Sequence, residues 1–498
     1  MVAMSELAAI AIGTIGLSIT IDILMAVKRL WPARSYLSYI SSLLTAVGLG
    51  VVIAAEVSFF TLLIFLVGAF RLMQLFRITH HTMHHRQLYQ LSRRSAAWLG
   101  ILQLASLALL GYAAVLHIST MALILACLQL AIALFFLGVV ANSIHQTRFH
   151  GNHMHYADKD LPTVTVAIPA RNETTELKHC IDSVLSSNYP KLEVLVLDDC
   201  SQDKTADVIK QYAHAGVRFL EGTSPPKHWL AKNHAYKQLA EAATGQYILF
   251  CGVDVRMSPS FLRDLITHIK IKKKRMMSVL PIRFGTSLRS TFIQPMRYWW
   301  ELAIPRKLIN NPAVLSTTWI IDRKVLKRLG GFAAVQRSIL PERYFARECV
   351  SHDTYAFIRA DDRLELKTSK MPTRQFQTAY RMRYPQFHRR IELILIYVLV
   401  LTFVFLLPFS LLVASLLVAN NLLLIISATT IAALIITHTT IVNTTHPGAS
   451  FIALINLPFV IIAEAAVAIY SMLKYEFGTV SWKGRNVCIP VMQQPVDK

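Results

Sequence analysis

Acidic residues are scarce in this chain. Its 498 residues carry 29 Asp and Glu against 51 Lys and Arg, a formal net charge of +22. Charged residues of all kinds make up only 16% of the composition while hydrophobic ones reach 54%. With a mean hydropathy of +0.44, this excludes a soluble globular protein of such length. Paired cysteines are also missing: Cys127, Cys180, Cys200, Cys251, Cys349 and Cys488 are scattered, so neither a zinc site nor a disulfide framework is indicated, and reduced thiols suit a cytoplasmic domain. No small-residue cleavage site follows the first apolar run, so that run is expected to stay attached rather than be removed as a signal peptide.

What is present is a set of apolar runs in two groups. Stretches long enough to span a bilayer are predicted at about 7–27, 37–55, 57–75, 97–116 and 121–143, then at 391–418, 421–443 and 450–472. They divide the chain into an N-terminal membrane region (1–144, about five spans), a polar block (145–390), a C-terminal membrane region (391–473, about three spans) and a basic tail (474–498). Lys28, Arg29 and Arg34 in one loop, and Arg71, Arg77, Arg86, Arg93 and Arg94 in another, mark the inside face. The basic balance therefore points to an anionic membrane surface and to orientation, with no nucleic-acid partner expected. Five spans from an outside N-terminus put the polar block in the cytoplasm, in a multi-pass protein of the cell inner membrane. Three further spans place Lys474, Lys483, Arg485 and Lys498 outside, against the same rule. A tail lying in the interface, or a fourth short span around Pro408, would repair the count.

The polar block reads as alternating strands and helices. TVTVAIPARNE (163–173) is a β-branched run closed by Pro169, with Arg171, Asn172 and Glu173 on the loop that leaves it. EVLVLDDCSQDKT ends its apolar run in Asp198 and Asp199, and Ser201 and Asp203 offer N-cap oxygens to the next helix. Acids at the carboxyl ends of parallel strands face the ligand crevice of an open sheet, where they can accept from the base and ribose of a nucleotide. PPKHWLAKNHAYKQLAEAATGQYILFCGVDV adds Lys232, placed to face phosphate, and a third strand that ends at Asp254. One aspartate can suffice for Mg²⁺ or Mn²⁺ on a diphosphate, because phosphate oxygens and water complete the shell.

The succession PARNE, LDDCSQDKT, PPKHWLAK and GVD, from 163 to about 385, resembles the nucleotide-sugar half of family 2 glycosyltransferases with the GT-A fold, in the polytopic membrane form of hopanoid-, carotenoid- or ceramide-directed members. The resemblance implies an α/β domain, a mostly parallel sheet with helices on both faces, inserted between two groups of transmembrane helices. It also implies nucleotide contacts from Asn172 and Glu173, base contacts from Asp198 and Asp199, and a Mg²⁺ or Mn²⁺ ligand in Asp254. The chain departs from the family's DxD motif, since Gly252 stands where the first aspartate belongs. For the carboxylate base, HDTYAFIRADDRLEL resembles the family's Glu-Asp helix and following strand, putting Asp353 on the aspartate and His352 in place of the glutamate. ILPERYFAR offers Glu342 as a rival at a shorter distance after Gly330 and Gly331. Asp353 is preferred because the elements after it fit better. Arg381 and Arg383, in TAYRMRYPQF, loosely match the QxxRW motif as phosphate contacts, or form a basic patch beside the membrane.

The implied activity is inverting transfer of a sugar from a UDP- or GDP-linked donor to a lipid or terpenoid hydroxyl held in the membrane. A processive polysaccharide synthase and a non-catalytic membrane protein with a degenerate transferase domain are the alternatives. HHTMHH (80–85) and HQTRFHGNHMH (145–155) resemble half of a di-iron site, but no downstream histidine box completes it. Asp22 and Glu464 inside apolar runs are costly in lipid and are functional or paired candidates. Trp299 and Trp300 suit a helix at the headgroup level or a buried core helix, and the tail SWKGRNV (481–487) is similar to basic ends of lipid-directed members.

Overall fold

A computed structural model describes residues 6–25, 34–53, 65, 68, 119–149, 151, 156–284, 295–306, 311–483 and 485–486. The runs expected at 57–75 and 97–116 and the HHTMHH segment lie outside the described residues, as do most of the histidines of 145–155. The chain forms two compact units: 1–134 with 383–434 and 468–476, and 135–382 with 435–467 and 477–498.

The second unit is built on a seven-stranded sheet. In chain order its strands are β1 (Val164–Ala170), β2 (Leu192–Asp198), β3 (Val217–Glu221), β4 (Tyr247–Cys251), β6 (Met276–Leu280), β8 (Thr318–Asp322) and β9 (Tyr355–Arg359), arranged 3-2-1-4-8-6-9. β8 runs antiparallel to both of its neighbours, and the other pairings are parallel. The mostly parallel sheet expected from the sequence is therefore present, with one reversed strand. Strand alternation sends side chains to both faces. Val166, Ile168, Val196 and Leu249 meet Leu177, Ile181 and Val184 of the helix Thr175–Leu185 on one side. Ala167, Leu197 and Phe250 meet Tyr236 and Leu239 of the helix Ala231–Ala242 on the other. A small sheet of β5 (Val255–Met257), β10 (Leu366–Thr368) and β7 (Ile282–Arg283) flanks the main one.

Beneath the carboxyl end of β4 lies an aromatic core. Trp319 stacks on Phe250 at 4.5 Å between ring centroids and packs against Tyr236, Phe332 and Phe345. Aromatic pairs at such spacing add to the energy of their buried area, so this cluster fixes the helices on that face. Trp299 resolves to the buried alternative: it is fully inaccessible, and its Nε1 donates to Nδ1 of His438 at 3.0 Å.

Among the described residues, four helices are long and apolar enough to cross a membrane: Ala122–Gln146, Ile391–Val418, Asn421–Thr445 and Leu457–Phe477. Three follow the polar block, as expected. The fourth short span imagined around Pro408 is not there, because Pro408 lies inside the run Ile391–Val418, next to a π-helical turn at Thr402–Leu406 that absorbs it. The last helix begins at Leu457, seven residues later than the predicted 450, after a break at 454–456. Glu464 is buried there. In the first unit, Glu6–Met25 and Arg34–Ile53 pack closely: the Ser18 and Thr45 hydroxyls lie 2.6 Å apart. A Cβ on Gly48 would come within 2.6 Å of Ile15. Small residues and hydroxyl pairs of this kind hold helices together where lipid offers no hydrophobic drive.

Trp319→Ala is expected to destabilise the second unit by about 3–5 kcal/mol, read by denaturant unfolding of the purified protein. A loss below about 1 kcal/mol would contradict the role given to the aromatic core.

Candidate active site

The acids flagged in the sequence gather at the carboxyl ends of β1, β2 and β4, as a parallel sheet requires. In β1, Pro169 pairs in register with Leu197, and Ala170 with Asp198. The chain then turns through Asn172, whose φ of 46° is left-handed, a conformation asparagine tolerates better than most residues. Asn172 ties the first loop to the second: its amide donates to Ser201 Oγ at 3.0 Å, and its Oδ1 accepts from the Gln202 amide at 2.9 Å. Asp198 accepts from the Ser201 amide at 3.2 Å, and Asp203 accepts the Thr205 amide at 3.0 Å, the local capping role weighed for it. Arg171 does not face open space. Its Nη1 donates to the Asp199 and Cys200 carbonyls at 2.5 and 2.7 Å, so the guanidinium closes the loop from within.

Asp199 and Glu173 are both buried, and both hold cations that the sequence reading did not assign to them. Arg485 Nη1 lies 2.8 and 2.7 Å from the two Asp199 oxygens. Glu173 accepts from Arg374 Nη1 at 2.8 and 2.6 Å and from Lys483 Nζ at 2.6 Å. Arg485 and Lys483 belong to a hairpin of β11 (Ser481–Trp482) and β12 (Arg485–Asn486). Burial pushes the Asp199 carboxyl up against the pull of Arg485, and burial pulls the Lys483 amine down against the attraction of Glu173. The tail was noticed in the sequence as SWKGRNV, but nothing local indicates contacts that reach back some 300 positions.

Asp254 follows β4, and its carbonyl accepts from the Ser369 amide at 3.0 Å, which fixes the turn. A Cβ on Gly252 would lie 2.7 Å from Asp254 Oδ1. The glycine therefore gives the Asp254 carboxylate the space that a first DxD acid would fill. Burial first, then the charges of Glu342, Cys251 and Asp254, drive the Tyr236 phenol well above its usual range, so both acids bear on Tyr236. Lys232 stands over the Tyr236 ring at 5.1 Å and 3.9 Å from Glu342 Oε2. Asp254, Glu342, Lys232 and Tyr236 thus share one neighbourhood.

The two candidate bases separate clearly. Glu342 lies in the first turn of the helix Pro341–Ser351, is 0% exposed, and neither oxygen finds a hydrogen-bond partner among the described residues. Asp353 comes just past the other end of that helix, some 16 Å away at 1.5 Å per residue. Its side chain is 97% exposed, pairs with Lys274 at 2.9 Å, and has a left-handed φ of 50°. It precedes β9, whose first residue Tyr355 pairs with Met276 at the start of β6, so it lies at the amino ends of the parallel strands. Of the two carboxylates, Glu342 lies at the end of the helix near Lys232, and Asp353 lies at the opposite end, in solvent. Arg381 lies near enough to Lys483 to lower its affinity for a proton, whereas Arg383 is buried and donates to Gln386 of its own helix at 3.2 Å.

No group of three or more His, Cys, Asp or Glu side chains suited to a metal occurs among the described residues. Asp254, a hard oxygen donor at a strand end, fits a Mg²⁺ or Mn²⁺ whose remaining ligands come from substrate and water.

Residues 165–330 match the model of glycosyl transferase family 2. The 4,4'-diaponeurosporenoate glycosyltransferase of Staphylococcus aureus is 31% identical over 121 residues, 24% of this chain and 31% of that protein. "Probable glycosyltransferase YdaM" of Bacillus subtilis is 24% identical over 184 residues, 35% of this chain and 44% of that one. The chain thus spans a third to a half of the length of these relatives. Among solved structures, the mannosyltransferase PcManGT of Pyrobaculum calidifontis, in complex with GDP-Man and Mn²⁺, is 16% identical with a TM-score of 0.42, covering 70% of this chain and 98% of that one.

Glutamine at Arg374 is expected to leave Glu173 with Lys483 alone and to speed cleavage of the 171–203 loops by protease at least severalfold. An unchanged cleavage rate would show that the Arg374 contact does not hold these loops. With its mostly parallel sheet, strand-end acids and flanking apolar helices, this chain is similar over residues 165–330 to the glycosyltransferases of family 2.

Proposed function

We propose that the protein transfers a sugar, with inversion, from a UDP- or GDP-linked donor to the hydroxyl of a lipid or terpenoid held in the membrane. The observation that carries this reading is Glu342, a fully buried carboxylate 3.9 Å from Lys232 whose oxygens find no hydrogen-bond partner among the described residues. Burying an unsatisfied carboxylate costs several kcal/mol, which a fold tolerates where the group has work to do. In this reading Glu342 accepts the proton of the acceptor hydroxyl as the oxygen attacks the anomeric carbon. A positioned base of this kind contributes about 10²- to 10⁴-fold. Lys232 stands against the departing diphosphate, while Asp198, Asp199, Asn172 and Glu173 line the nucleoside end. A divalent ion held by Asp254 would neutralise charge on the leaving diphosphate. Because attack and departure occur on opposite faces in one displacement, no covalent sugar-enzyme species is needed.

The acceptor class draws support from the apolar helices that follow the domain and from the relative named for a terpenoid acid. A processive synthase stays second, since nothing in the site favours a polymer.

We further propose that the domain and the tail share the cytoplasmic face. Arg485 and Lys483 return to the acids of the polar block, so the chain between them crosses the membrane an even number of times although it contains three long apolar helices. Leu457–Phe477 is the helix assigned to the surface. It carries Glu464, Lys474 and Glu476, and the Tyr384 hydroxyl just before the first of the three helices donates to Glu476 Oε1 at 2.6 Å.

Two outcomes are expected. Glu342→Gln should lower sugar transfer to membrane lipid extract at least 10²-fold while Asp353→Asn stays near wild type; the reverse pattern would restore Asp353. Cysteines placed at Gln202 and Gly478, with other accessible thiols removed, should react with an impermeant maleimide from the same side of sealed vesicles. Labelling from opposite sides would refute the even count.

A further inference from the structure

The donor reading leaves Asp199 and Glu173, the acids assigned to the nucleoside, already engaged by cations from the end of the chain. We propose that the hairpin Ser481–Asn486 is a working part of the donor site, and that Lys483 and Arg485 bind the diphosphate of the nucleotide sugar. This rests on the family 2 donor reading above.

Charge balance points that way. Around the strand ends, Arg171, Arg374, Lys483 and Arg485 lie against Glu173, Asp198 and Asp199, and Arg381 lies close to Lys483. The hairpin brings two of these cations, and a diphosphate in a nucleotide sugar carries the two negative charges that complement them. Both hairpin cations are also poorly exposed for such long side chains, 22% for Lys483 and 18% for Arg485. A solvated basic tail does not bury its charges this way.

The hairpin is held by more than its ion pairs. Lys483, directly after β11, adopts a left-handed φ of 47°, the backbone conformation that tight hairpins use. Arg171 Nε donates to the Lys483 carbonyl at 3.1 Å, Lys483 Nζ donates back to the Arg171 carbonyl, and Arg485 Nη2 donates to the Asp199 carbonyl at 3.2 Å. The Arg171 link to the Lys483 carbonyl uses the hairpin's main chain and can persist while the Lys483 and Arg485 side chains swing from carboxylate to phosphate. The exchange frees Asp199 and Glu173 to accept from the base and ribose as the cations take up the diphosphate, a strong charge-assisted pairing for Arg in particular. A donor without a diphosphate cannot drive it.

The test uses the full-length protein in detergent, titrated calorimetrically with UDP and with GDP, each with Mn²⁺. Wild type is expected to bind at least one of them. The double variant Lys483→Gln, Arg485→Gln should bind it about tenfold or more weakly, and the double variant Lys483→Arg, Arg485→Lys should stay within a few-fold of wild type. Equal affinity in the glutamine variant would overturn the proposal; tighter binding would do so too, and would make the hairpin an inhibitory plug. A wild type that binds neither nucleotide would instead overturn the donor reading itself. Hydrogen exchange of wild type needs no variant to fold: the amides of Ser481–Asn486 should exchange more slowly with nucleotide bound, and equal or faster exchange would refute the strap.

Discussion

The crevice depends on carboxylates kept away from water without full compensation. Glu342 is the extreme case, fully buried with only Lys232 at 3.9 Å and no hydrogen bond to either oxygen among the described residues; Asp199 and Glu173 are buried but closely paired. The fold tolerates this because the groups sit where the sheet gathers chain ends and helix starts. Glu342 occupies the first turn of its helix, where the unsatisfied amides and the dipole favour negative charge. The aromatic layer of Trp319, Phe332 and Phe345 beneath it excludes solvent. A carboxylate held away from water meets an acceptor hydroxyl without competing solvent, so what costs stability is what the proposed chemistry uses.

In the proposed function the site divides into an acidic half that would recognise the donor and a mixed half that would react. At the β1 and β2 ends, side chains and main chain interlock two loops through Asn172, Ser201, Gln202 and Arg171. That end has little freedom left except in the cations that neutralise it. At the β4 end, Asp254 folds back over Gly252 and Glu342 stands near Lys232. The glycine that first reads as a lost acid is a spacing device for the acid that remains.

Much of this was legible in the sequence. The β-branched runs closed by Pro169, Asp198 and Asp254 declare strands whose ends carry acids, and a parallel sheet can only bring such ends together. The choice between Glu342 and Asp353 was not legible. They mark opposite ends of one 11-residue helix, and the local pattern favours the residue after it, whereas which end of a helix meets a crevice is decided by the direction of the strands it connects. The reversal of β8 places Glu342 at the carboxyl ends and Asp353 at the amino ends. Arg485 and Lys483 escaped for a different reason: their partners lie 286 and 310 positions away, beyond any periodicity, with three long apolar helices between them.

The central claim, that a desolvated carboxylate at position 342 takes the acceptor proton, is met most directly by chemical rescue. Glu342→Ala, assayed for transfer to lipid acceptor with increasing formate, should regain rate in proportion to the added carboxylate, while Asp254→Ala should not respond. An alanine variant that transfers sugar at the wild-type rate without formate would contradict the account.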